Sequence, residues 1–259
     1  MKELSAKVKS NERIAHGIYA MTLTLPQELA FKSGQFLNVS TGSAVHLLKR
    51  PFGIMRMSGR DVTFCYQLKG EGTKTLSLVR PGDVLQVTLP LGNGFNIPQN
   101  AKKIAVIGGG VGIFPLLSVL EEIKGREYFS YLGFRSAEYA CLIDDFTAAS
   151  KHLTVVTDDG TMGKKTNAVS AFMDDYFNVA PDLIIACGPP VMLRVLKCRL
   201  KEAGISTPCL VSLEERMGCG IGACLVCVCS TADGSNARVC RDGPVFDIND
   251  VELVPLSKN

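Results

Sequence analysis

The chain has 259 residues, of which 46% are hydrophobic and 20% charged, so its composition is that of a globular protein rather than a disordered one. Its net charge of +3, from 28 basic and 25 acidic residues, gives no electrostatic footprint for nucleic acid or an anionic membrane. Ten cysteines are too few for a disulfide scaffold at this length and too many to ignore.

The N-terminal residues carry charges at short intervals and lack the apolar run of a signal peptide. The longest apolar stretch, residues 104–120, contains four glycines and a proline, a pattern typical of a buried strand, a turn and a helix rather than a membrane span. We therefore expect a soluble cytoplasmic protein. Thiols stay reduced in that compartment, so clustered cysteines would indicate metal or redox chemistry.

Residues 1–98 have the pattern of an all-β domain. Short apolar runs alternate with turns rich in glycine and proline, at the even spacing typical of a barrel or a sandwich. The predicted strands cover residues 18–25, 36–39, 62–68 and 84–89.

Residues 99–208 have a different pattern, in which strands alternate with helices. This alternation predicts an α/β domain with a doubly wound parallel sheet. A short third segment, residues 209–259, is rich in cysteine and glycine and has little room for a core of its own. The predicted strands of the α/β domain are 102–107, 128–134, 153–157 and 182–186, and the predicted helices are 114–123 and 191–203.

Four cysteines in the third segment have the spacing of a plant-type [2Fe–2S] site. Cys219, Cys224 and Cys227 form a C-x4-C-x2-C loop, and Cys240 follows after twelve intervening residues. Glycines in the loop would let the backbone close around a cluster and direct N–H groups at its sulfurs, which tunes the reduction potential. The sequence therefore favours a [2Fe–2S] site here.

A structural zinc site with four cysteine ligands is the alternative. Zinc sites more often use paired C-x2-C units, and the C-x4-C-x2-C loop does not have that spacing. Cys229 lies two residues beyond the loop, does not match the ligand spacing, and is interpreted as a small buried residue. The same interpretation is given to four scattered cysteines: Cys65, Cys141, Cys198 and Cys209.

A glycine-rich turn after the first strand of the α/β domain indicates a pyridine nucleotide site. Bare backbone there could approach a pyrophosphate at the start of a helix. The sixth position is Ile113, so the strict G-x-G-x-x-G pattern is not met, and a tight turn without a ligand is the alternative. Cys187 and Gly188, at the end of a later strand, would line the same crevice. The glycines of the turn are Gly108, Gly109, Gly110 and Gly112.

Two carboxylates end the third strand of the α/β domain. Asp158 and Asp159 would repel a ribose 2′-phosphate and could accept hydrogen bonds from ribose hydroxyls, which favours NAD over NADP. Arg135, at the end of the second strand, instead favours NADP.

Outside these motifs the three histidines are isolated, so no catalytic acid–base pair is expected.

In combination these motifs resemble the ferredoxin–NADP reductase superfamily. The chain carries Arg50-Pro51 in the β domain, Gly-Gly-Gly-Val-Gly and Cys-Gly-Pro in the α/β domain, and a plant-type cysteine loop near its C-terminal end. The run SLEERMGCGIGACLVCVC at residues 212–229, and RDGPVF after Cys240, are most similar to the electron-transfer subunits of class 1B dihydroorotate dehydrogenases. The resemblance spans essentially the whole chain.

The resemblance implies an FAD-binding barrel at residues 1–98, an NAD-binding domain at 99–208 and a [2Fe–2S] segment at 209–259. Arg50 would pair with the flavin pyrophosphate, and Tyr66 is expected to stack on the isoalloxazine ring. Backbone N–H groups of Gly72 and Thr73 would bind the phosphates. The other residues expected beside the flavin are Pro51, Phe52, Gly53, Cys65 and Gln67.

The resemblance also implies a partner and a route for electrons. An FMN-containing dihydroorotate dehydrogenase subunit, in a heterotetramer with two copies of each chain, would deliver single electrons to the cluster, and FAD would pass a hydride to NAD+. An NADH-dependent ferredoxin reductase or sulfide dehydrogenase-type subunit with a different partner is the alternative. The family usually has serine at the position of Gly53, so this chain lacks a hydroxyl expected near the reactive flavin nitrogen.

Overall fold

A closed barrel of six antiparallel strands forms the N-terminal part of the computed structural model, which describes residues 1–43 and 45–253. The order around the barrel is β1-β2-β5-β4-β3-β6, so the barrel alternative is confirmed over the sandwich. The strands are β1 (Lys2–Ala15), β2 (Ile18–Thr24), β3 (Phe36–Val39), β4 (Arg50–Ser58), β5 (Asp61–Gln67) and β6 (Val84–Leu91).

The predicted strands of the barrel lie within two residues of their observed bounds, but the apolar pattern does not predict β1 or β4. β1 is mostly charged and polar, and the side chains that it buries include the small Ala6 and Val8. β4 begins with Arg50-Pro51, which has no strand signature. A short helix, α1 (Glu71–Ser77), follows β5 and is also absent from the sequence prediction.

A seven-stranded sheet forms the second part of the chain, in the order β10-β9-β8-β7-β11-β12-β15. All neighbours are parallel except the edge pair β12–β15, which is antiparallel. The strands are β7 (Lys103–Gly109), β8 (Glu127–Phe134), β9 (His152–Thr157), β10 (Lys164–Lys165), β11 (Leu183–Cys187), β12 (Cys209–Ser212) and β15 (Val245–Asp247).

The predicted doubly wound architecture is confirmed, because side chains alternate between two cores along each central strand. On β7, Ile104 and Val106 face the core on the side of α2, whereas Ala105 and Ile107 face the core that contains α4 and α5. The helices are α2 (Ile113–Glu122), α3 (Ile143–Ala149), α4 (Ala168–Val179) and α5 (Pro190–Glu202).

The C-terminal segment is built into the sheet rather than appended to it. β12 and β15 both belong to this segment and extend the sheet at one edge, so the sheet continues past residue 208. Between them the segment forms a cysteine loop and a small hairpin of β13 (Val228–Ser230) and β14 (Asn236–Arg238). No helix among the described residues has both the length and the apolar character needed to cross a bilayer.

Three parts of the chain meet at the barrel. Met55 and Cys65 of the barrel pack in one core with Phe114 and Leu117 of α2. Phe36 and Leu91, also from the barrel, pack with Cys227, Val239 and Cys240 of the C-terminal segment that begins at residue 209, called the cysteine segment below. The barrel is therefore fixed against both the sheet and the cysteine loop, and a cavity lies between them.

Candidate functional site

One cavity is lined by side chains from the barrel, the sheet and the cysteine segment together. Its volume is about 270 Å³. The C-terminal ends of β7 and β11 face this cavity. The strand order of the sheet reverses between these two strands, and ligands of open α/β sheets bind at such a position. Residues expected at a flavin or nucleotide that line it are Pro51, Phe52, Gly53, Cys65, Tyr66, Gln67, Thr73 and Cys187.

Arg50 and Gly72 lie against each other beside this cavity. A Cβ at Gly72 would lie 2.6 Å from Nε of Arg50, so only glycine lets the guanidinium lie over the first turn of α1. Thr73 completes the turn, since its Oγ1 accepts hydrogen bonds from the backbone N–H of Lys69 at 2.9 Å and of Gly70 at 3.2 Å. First-turn N–H groups have no partner within the helix. The Arg50 guanidinium therefore lies next to the first turn of α1, a combination that suits an anionic phosphate.

Tyr66 borders the cavity but packs mainly inside the barrel. Its side chain is 2% exposed and lies in the core of the barrel, where the ring stacks on Tyr19 with centroids 5.5 Å apart. Its hydroxyl donates to Oδ1 of Asn11 at 2.9 Å. Stacking of Tyr66 on a flavin stays a prediction. Phe52 is only half-buried at the cavity, although Phe64 already covers one face of its ring.

Gly53 has a packing reason to be glycine. A Cβ at this position would lie 3.2 Å from Cβ of Pro115, on α2, which is tighter than an ordinary contact. A serine there would require α2 to move outward by a few tenths of an ångström. The departure from the family pattern is thus linked to the close approach of α2 to β4.

The glycine turn after β7 is partly explained by packing between the two strand ends. A Cβ at Gly112 would lie 2.4 Å from the carbonyl oxygen of Cys187, and one at Gly109 would lie 2.6 Å from Sδ of Met192. Gly108 is similarly confined by Ile113. Gly110 differs, because nothing lies within 4 Å of its Cβ position and its φ is +53°. Its bare backbone faces open space and is accessible to a ligand.

Cys187, Ser212 and Glu214 lie together on the floor of the cavity. Burial raises the pKa of the Cys187 thiol, the nearby Glu214 raises it further, and a hydrogen bond with Ser212 opposes the rise. Glu214 is accessible to solvent but lies in a cleft that surrounds it with protein, and this desolvation raises its pKa, with Lys69 opposing. Glu214 is a cavity residue that the motifs do not assign; its position just before the cysteine loop is the only sequence signal for it.

Asp158 lies in a separate groove at the ends of β8 and β9. Arg135 and Lys165 line the same groove, so charges of both signs face a ligand there. Asp159 also borders the groove, but its Oδ1 accepts from the backbone N–H and the hydroxyl of Thr161, at 2.9 and 2.7 Å. These hydrogen bonds lower the pKa of Asp159 and tie it to its own loop. Asp158 is therefore the carboxylate better placed to contact a ribose.

The four cysteines of the C-x4-C-x2-C…C pattern form two pairs. The backbone N–H of Cys219 donates to Sγ of Cys224 at 3.3 Å, and that of Cys240 donates to Sγ of Cys227 at 3.4 Å. Within residues 1–43 and 45–253, no three metal-ligating side chains converge on a single point as they would around one ion. Two pairs suit a cluster with two irons, each held by two thiolates, better than one tetrahedral zinc.

Backbone N–H groups of the loop point at these sulfurs. Sγ of Cys219 accepts from Ile221 at 3.4 Å and from Ala223 at 3.3 Å, and Sγ of Cys240 accepts from Gly222 at 3.1 Å. Burial raises the pKa of Cys219, but the hydrogen bonds outweigh it and lower that pKa to about 6. A loop that stabilises thiolate before any metal is bound has the donor set of an iron–sulfur site.

The remaining cysteines are mostly buried. Cys229, on β13, is half-buried among apolar neighbours, and Cys65, Cys141 and Cys209 lie in the cores as predicted. Cys198 is the exception, because it is exposed on the outer face of α5. Its assignment to the core was wrong; the apolar stripe of α5 passes through Leu193, Leu196 and Leu200 instead.

Comparison with known proteins gives a consistent result. Residues 214–252 match the family described as the iron-sulfur cluster binding domain of dihydroorotate dehydrogenase B. Two similar curated proteins are both named dihydroorotate dehydrogenase B (NAD(+)), electron transfer subunit. The protein from Caldanaerobacter subterraneus subsp. tengcongensis is 38% identical, covering 94% of this chain and 96% of the relative. The protein from Clostridium perfringens is 33% identical, covering 98% and 99%.

Solved structures share the architecture. A chain from the structure of an NADH-dependent reduced ferredoxin–NADP oxidoreductase, studied for flavin-based electron bifurcation, superposes with a TM-score of 0.84 at 27% identity, covering 96% of this chain and 90% of that one. Phthalate dioxygenase reductase superposes with a TM-score of 0.64 at 20% identity, covering 92% and 94%. The second likeness concerns the fold alone.

Proposed function

The chain belongs to the family of electron-transfer subunits of NAD-dependent dihydroorotate dehydrogenase B, and from this premise we propose that it carries electrons from an FMN-containing catalytic subunit to NAD+. The observation that carries the proposal is the combination of near full-length similarity with two cysteine pairs beside an interdomain cavity. When bound, FAD exchanges a hydride with nicotinamide and single electrons with a [2Fe–2S] cluster.

We assign the flavin site to the cavity between barrel and sheet. Arg50 and the first turn of α1, with Gly72 and Thr73, are the anion site for the pyrophosphate. Pro51, Phe52 and Gly53 of β4, and Cys65 and Gln67 of β5, form the wall for the isoalloxazine ring. These strands are fixed in the barrel, so they orient the ring and exclude water from one of its faces.

We assign the nicotinamide to the side of the cavity formed by the sheet. Cys187 and Gly188 end β11 next to the turn after β7, where Gly110 offers bare backbone for the pyrophosphate. Asp158 would accept hydrogen bonds from the adenosine ribose. The same cavity then brings nicotinamide and flavin into contact, which hydride transfer requires.

We assign the cluster to Cys219, Cys224, Cys227 and Cys240. Their backbone hydrogen bonds stabilise thiolate and would offset the negative charge that a reduced cluster gains. Leu225 and Val226 in this loop are largely exposed, with 62% and 54% of their surface accessible. An exposed apolar loop over the cluster is a suitable surface for a partner that must approach closely.

We propose a heterotetramer of two copies of each subunit, acting in the cytoplasm in pyrimidine biosynthesis.

Reconstitution tests this function. The purified chain should contain one FAD and one [2Fe–2S] cluster, with visible absorption from both. Mixed with the FMN-containing dihydroorotate dehydrogenase subunit of the same organism, it should form NADH from dihydroorotate and NAD+, and neither subunit should do so alone. A colourless protein without iron, or a mixture that forms no NADH, would contradict the proposal.

The alternative function is that of an NADH-dependent ferredoxin reductase subunit. It is favoured by the TM-score of 0.84 with a chain of the NADH-dependent reduced ferredoxin–NADP oxidoreductase. The two functions differ in the partner that oxidises or reduces the cluster. NADH-dependent reduction of ferredoxin, with no NADH formed from dihydroorotate in the reconstituted mixture, would favour this alternative.

A further inference from the structure

Asn38 is the side chain that joins the flavin-binding strands to the cysteine loop. It lies on β3, is 1% exposed, and its Nδ2 donates to the backbone carbonyl of Cys219 at 3.3 Å. The opposite orientation of the amide would set two oxygens against each other, so the donor is assigned by chemistry. The contact joins residues far apart in the sequence and leads directly to the first cysteine of the loop.

The loop approaches Asn38 as closely as its backbone permits. A Cβ at Gly220 would lie 2.2 Å from Nδ2 of Asn38, and Gly220 has a φ of +73°. Both the missing side chain and the left-handed conformation are therefore required for this contact. Gly220 lets the loop between Cys219 and Cys224 rest on β3.

On its other side Asn38 is bound to the wall of the flavin cavity. Its backbone pairs with Pro51 on β4, and Pro51 and Phe36, two residues before Asn38, both line the cavity. Asn38 thus contacts the strand pair that carries the proposed flavin wall and the loop that carries the proposed cluster. No other described side chain donates a hydrogen bond from these strands to this loop.

The contact is not optimised for stability. Oδ1 of Asn38 is buried and has no hydrogen-bond partner among the described residues. An unsatisfied buried polar atom costs about 1–3 kcal/mol, and replacement by an apolar group of the same shape can be neutral or stabilising. A buried amide kept with one end unsatisfied points to a role other than holding the fold together.

We propose that Asn38 is a positioning residue that sets the distance and orientation of the cluster loop relative to the flavin wall, and thereby the rate of electron transfer between them. The inference rests on the proposed function. In the proposed function the reduced cluster gives one electron to the flavin; in the NADH-driven test below the same transfer runs in reverse, and the reduced flavin gives one electron to the oxidised cluster.

The test compares Asn38→Leu with Asn93→Leu in the cofactor-loaded protein. Leucine keeps the shape of asparagine and removes the hydrogen bond. Asn93 is the matched control: its Nδ2 also joins the barrel to the cysteine segment, at 3.1 Å from the carbonyl of Asp242, but it is exposed and outside the flavin wall. Stopped-flow absorbance after mixing with NADH measures flavin reduction and cluster reduction separately.

We expect Asn38→Leu to keep its FAD, its iron and its resistance to denaturant, and to be reduced by NADH at the flavin as fast as the wild type. Cluster reduction should be slower by about tenfold or more, because misplacement by about 1 Å costs reaction rates of that size. Visible circular dichroism of the cluster should change. Asn93→Leu should stay within about twofold of the wild type, as an ordinary surface substitution does.

Three results would overturn the inference. Cluster reduction at the wild-type rate in Asn38→Leu would remove the positioning role. Equal slowing in both variants would mean that any loosening of the segment has the same effect, and loss of iron in Asn38→Leu would make Asn38 a residue for cluster retention. A wild-type protein without FAD or iron would instead contradict the proposed function itself, so the two failures are distinguishable.

Discussion

Arg56 on β4 and Glu121 on α2 form a two-pronged ion pair across the junction between barrel and sheet. Nε of Arg56 donates to Oε2 of Glu121 at 2.7 Å, its Nη2 donates to Oε1, and Asp145 on α3 also accepts from Nη2. The hydrogen bonds to Glu121 and Asp145 outweigh desolvation and raise the pKa of Arg56. One guanidinium therefore fixes two helices, α3 and the cavity-lining α2, to the strand that forms the wall of the flavin cavity.

Substitution of Arg56 by alanine should weaken this junction. We expect a loss of about 1 kcal/mol in the free energy of unfolding, because the pair is partly screened by solvent, with 37% of the Arg56 side chain exposed. Urea denaturation of Arg56→Ala, Glu121→Ala and the double variant measures the coupling. The exposed pair Lys151–Glu127, within the sheet domain, is the control and should show little coupling. Equal coupling in both pairs would contradict a special role for Arg56.

Cys219→Ser should lose the cluster and keep FAD, because the flavin wall and the cysteine loop are separate groups of residues. NADH oxidation with an acceptor that takes electrons from the flavin should survive, and transfer to the catalytic subunit should fail. Iron content and visible spectra provide the measurement. Cys229→Ser is the matched control and should keep its iron, since Cys229 packs among apolar side chains on β13. Loss of FAD together with iron in Cys219→Ser would contradict this separation.

The cysteine pattern was predictable because its ligands are local in sequence, whereas the flavin wall depends on packing at long range. Phe64, Cys65 and Tyr66 are all buried, since one face of β5 lies in the barrel core and the other is covered by the sheet domain. Without polar alternation, the sequence does not tell which of these residues faces a ligand. The tight approach of Pro115 to Gly53 depends equally on how α2 docks, which no local pattern encodes.

Asp158→Asn should reduce the preference for NADH over NADPH, by about tenfold if the carboxylate contributes roughly 1.4 kcal/mol to the discrimination. The physical reason is that Arg135 and Lys165 share the groove and would then attract a 2′-phosphate without opposition from Asp158. The ratio of kcat/KM for the two cofactors is the measurement. Asp159→Asn should change the ratio less, because Asp159 is bound to Thr161. An unchanged ratio in Asp158→Asn would contradict its assignment to the ribose.

Gly53→Ser should destabilise the protein unless Pro115 is made smaller. The new Cβ would lie 3.2 Å from Cβ of Pro115, and overpacking of this kind costs about 1–3 kcal/mol. Pro115→Gly removes the Cβ that the serine would crowd, so the double variant should lose less than the sum of the single variants. Chemical denaturation of all three proteins measures this. Additive losses would show that the two positions do not compete for space.

Glu214→Gln should change how stability depends on pH. Desolvation in the cleft raises the pKa of Glu214 above its ordinary value of 4.5, so the folded protein keeps this proton at pH values where the unfolded chain has released it. The folded state then binds more protons than the unfolded state, and wild-type stability falls as pH rises through the interval above 4.5. Glutamine cannot ionise, so the variant should gain stability relative to the wild type across that interval.

Urea denaturation of the cofactor-loaded proteins at a series of pH values, from about 4 upward past the ordinary carboxyl range, tests this expectation. The difference between wild type and Glu214→Gln should be smallest at the acidic end and should grow with pH until Glu214 is ionised in the folded protein as well. Glu202→Gln, at the exposed end of α5, is the control for loss of one carboxylate. A difference that is constant with pH would mean that Glu214 is as well solvated in the cleft as in the unfolded chain.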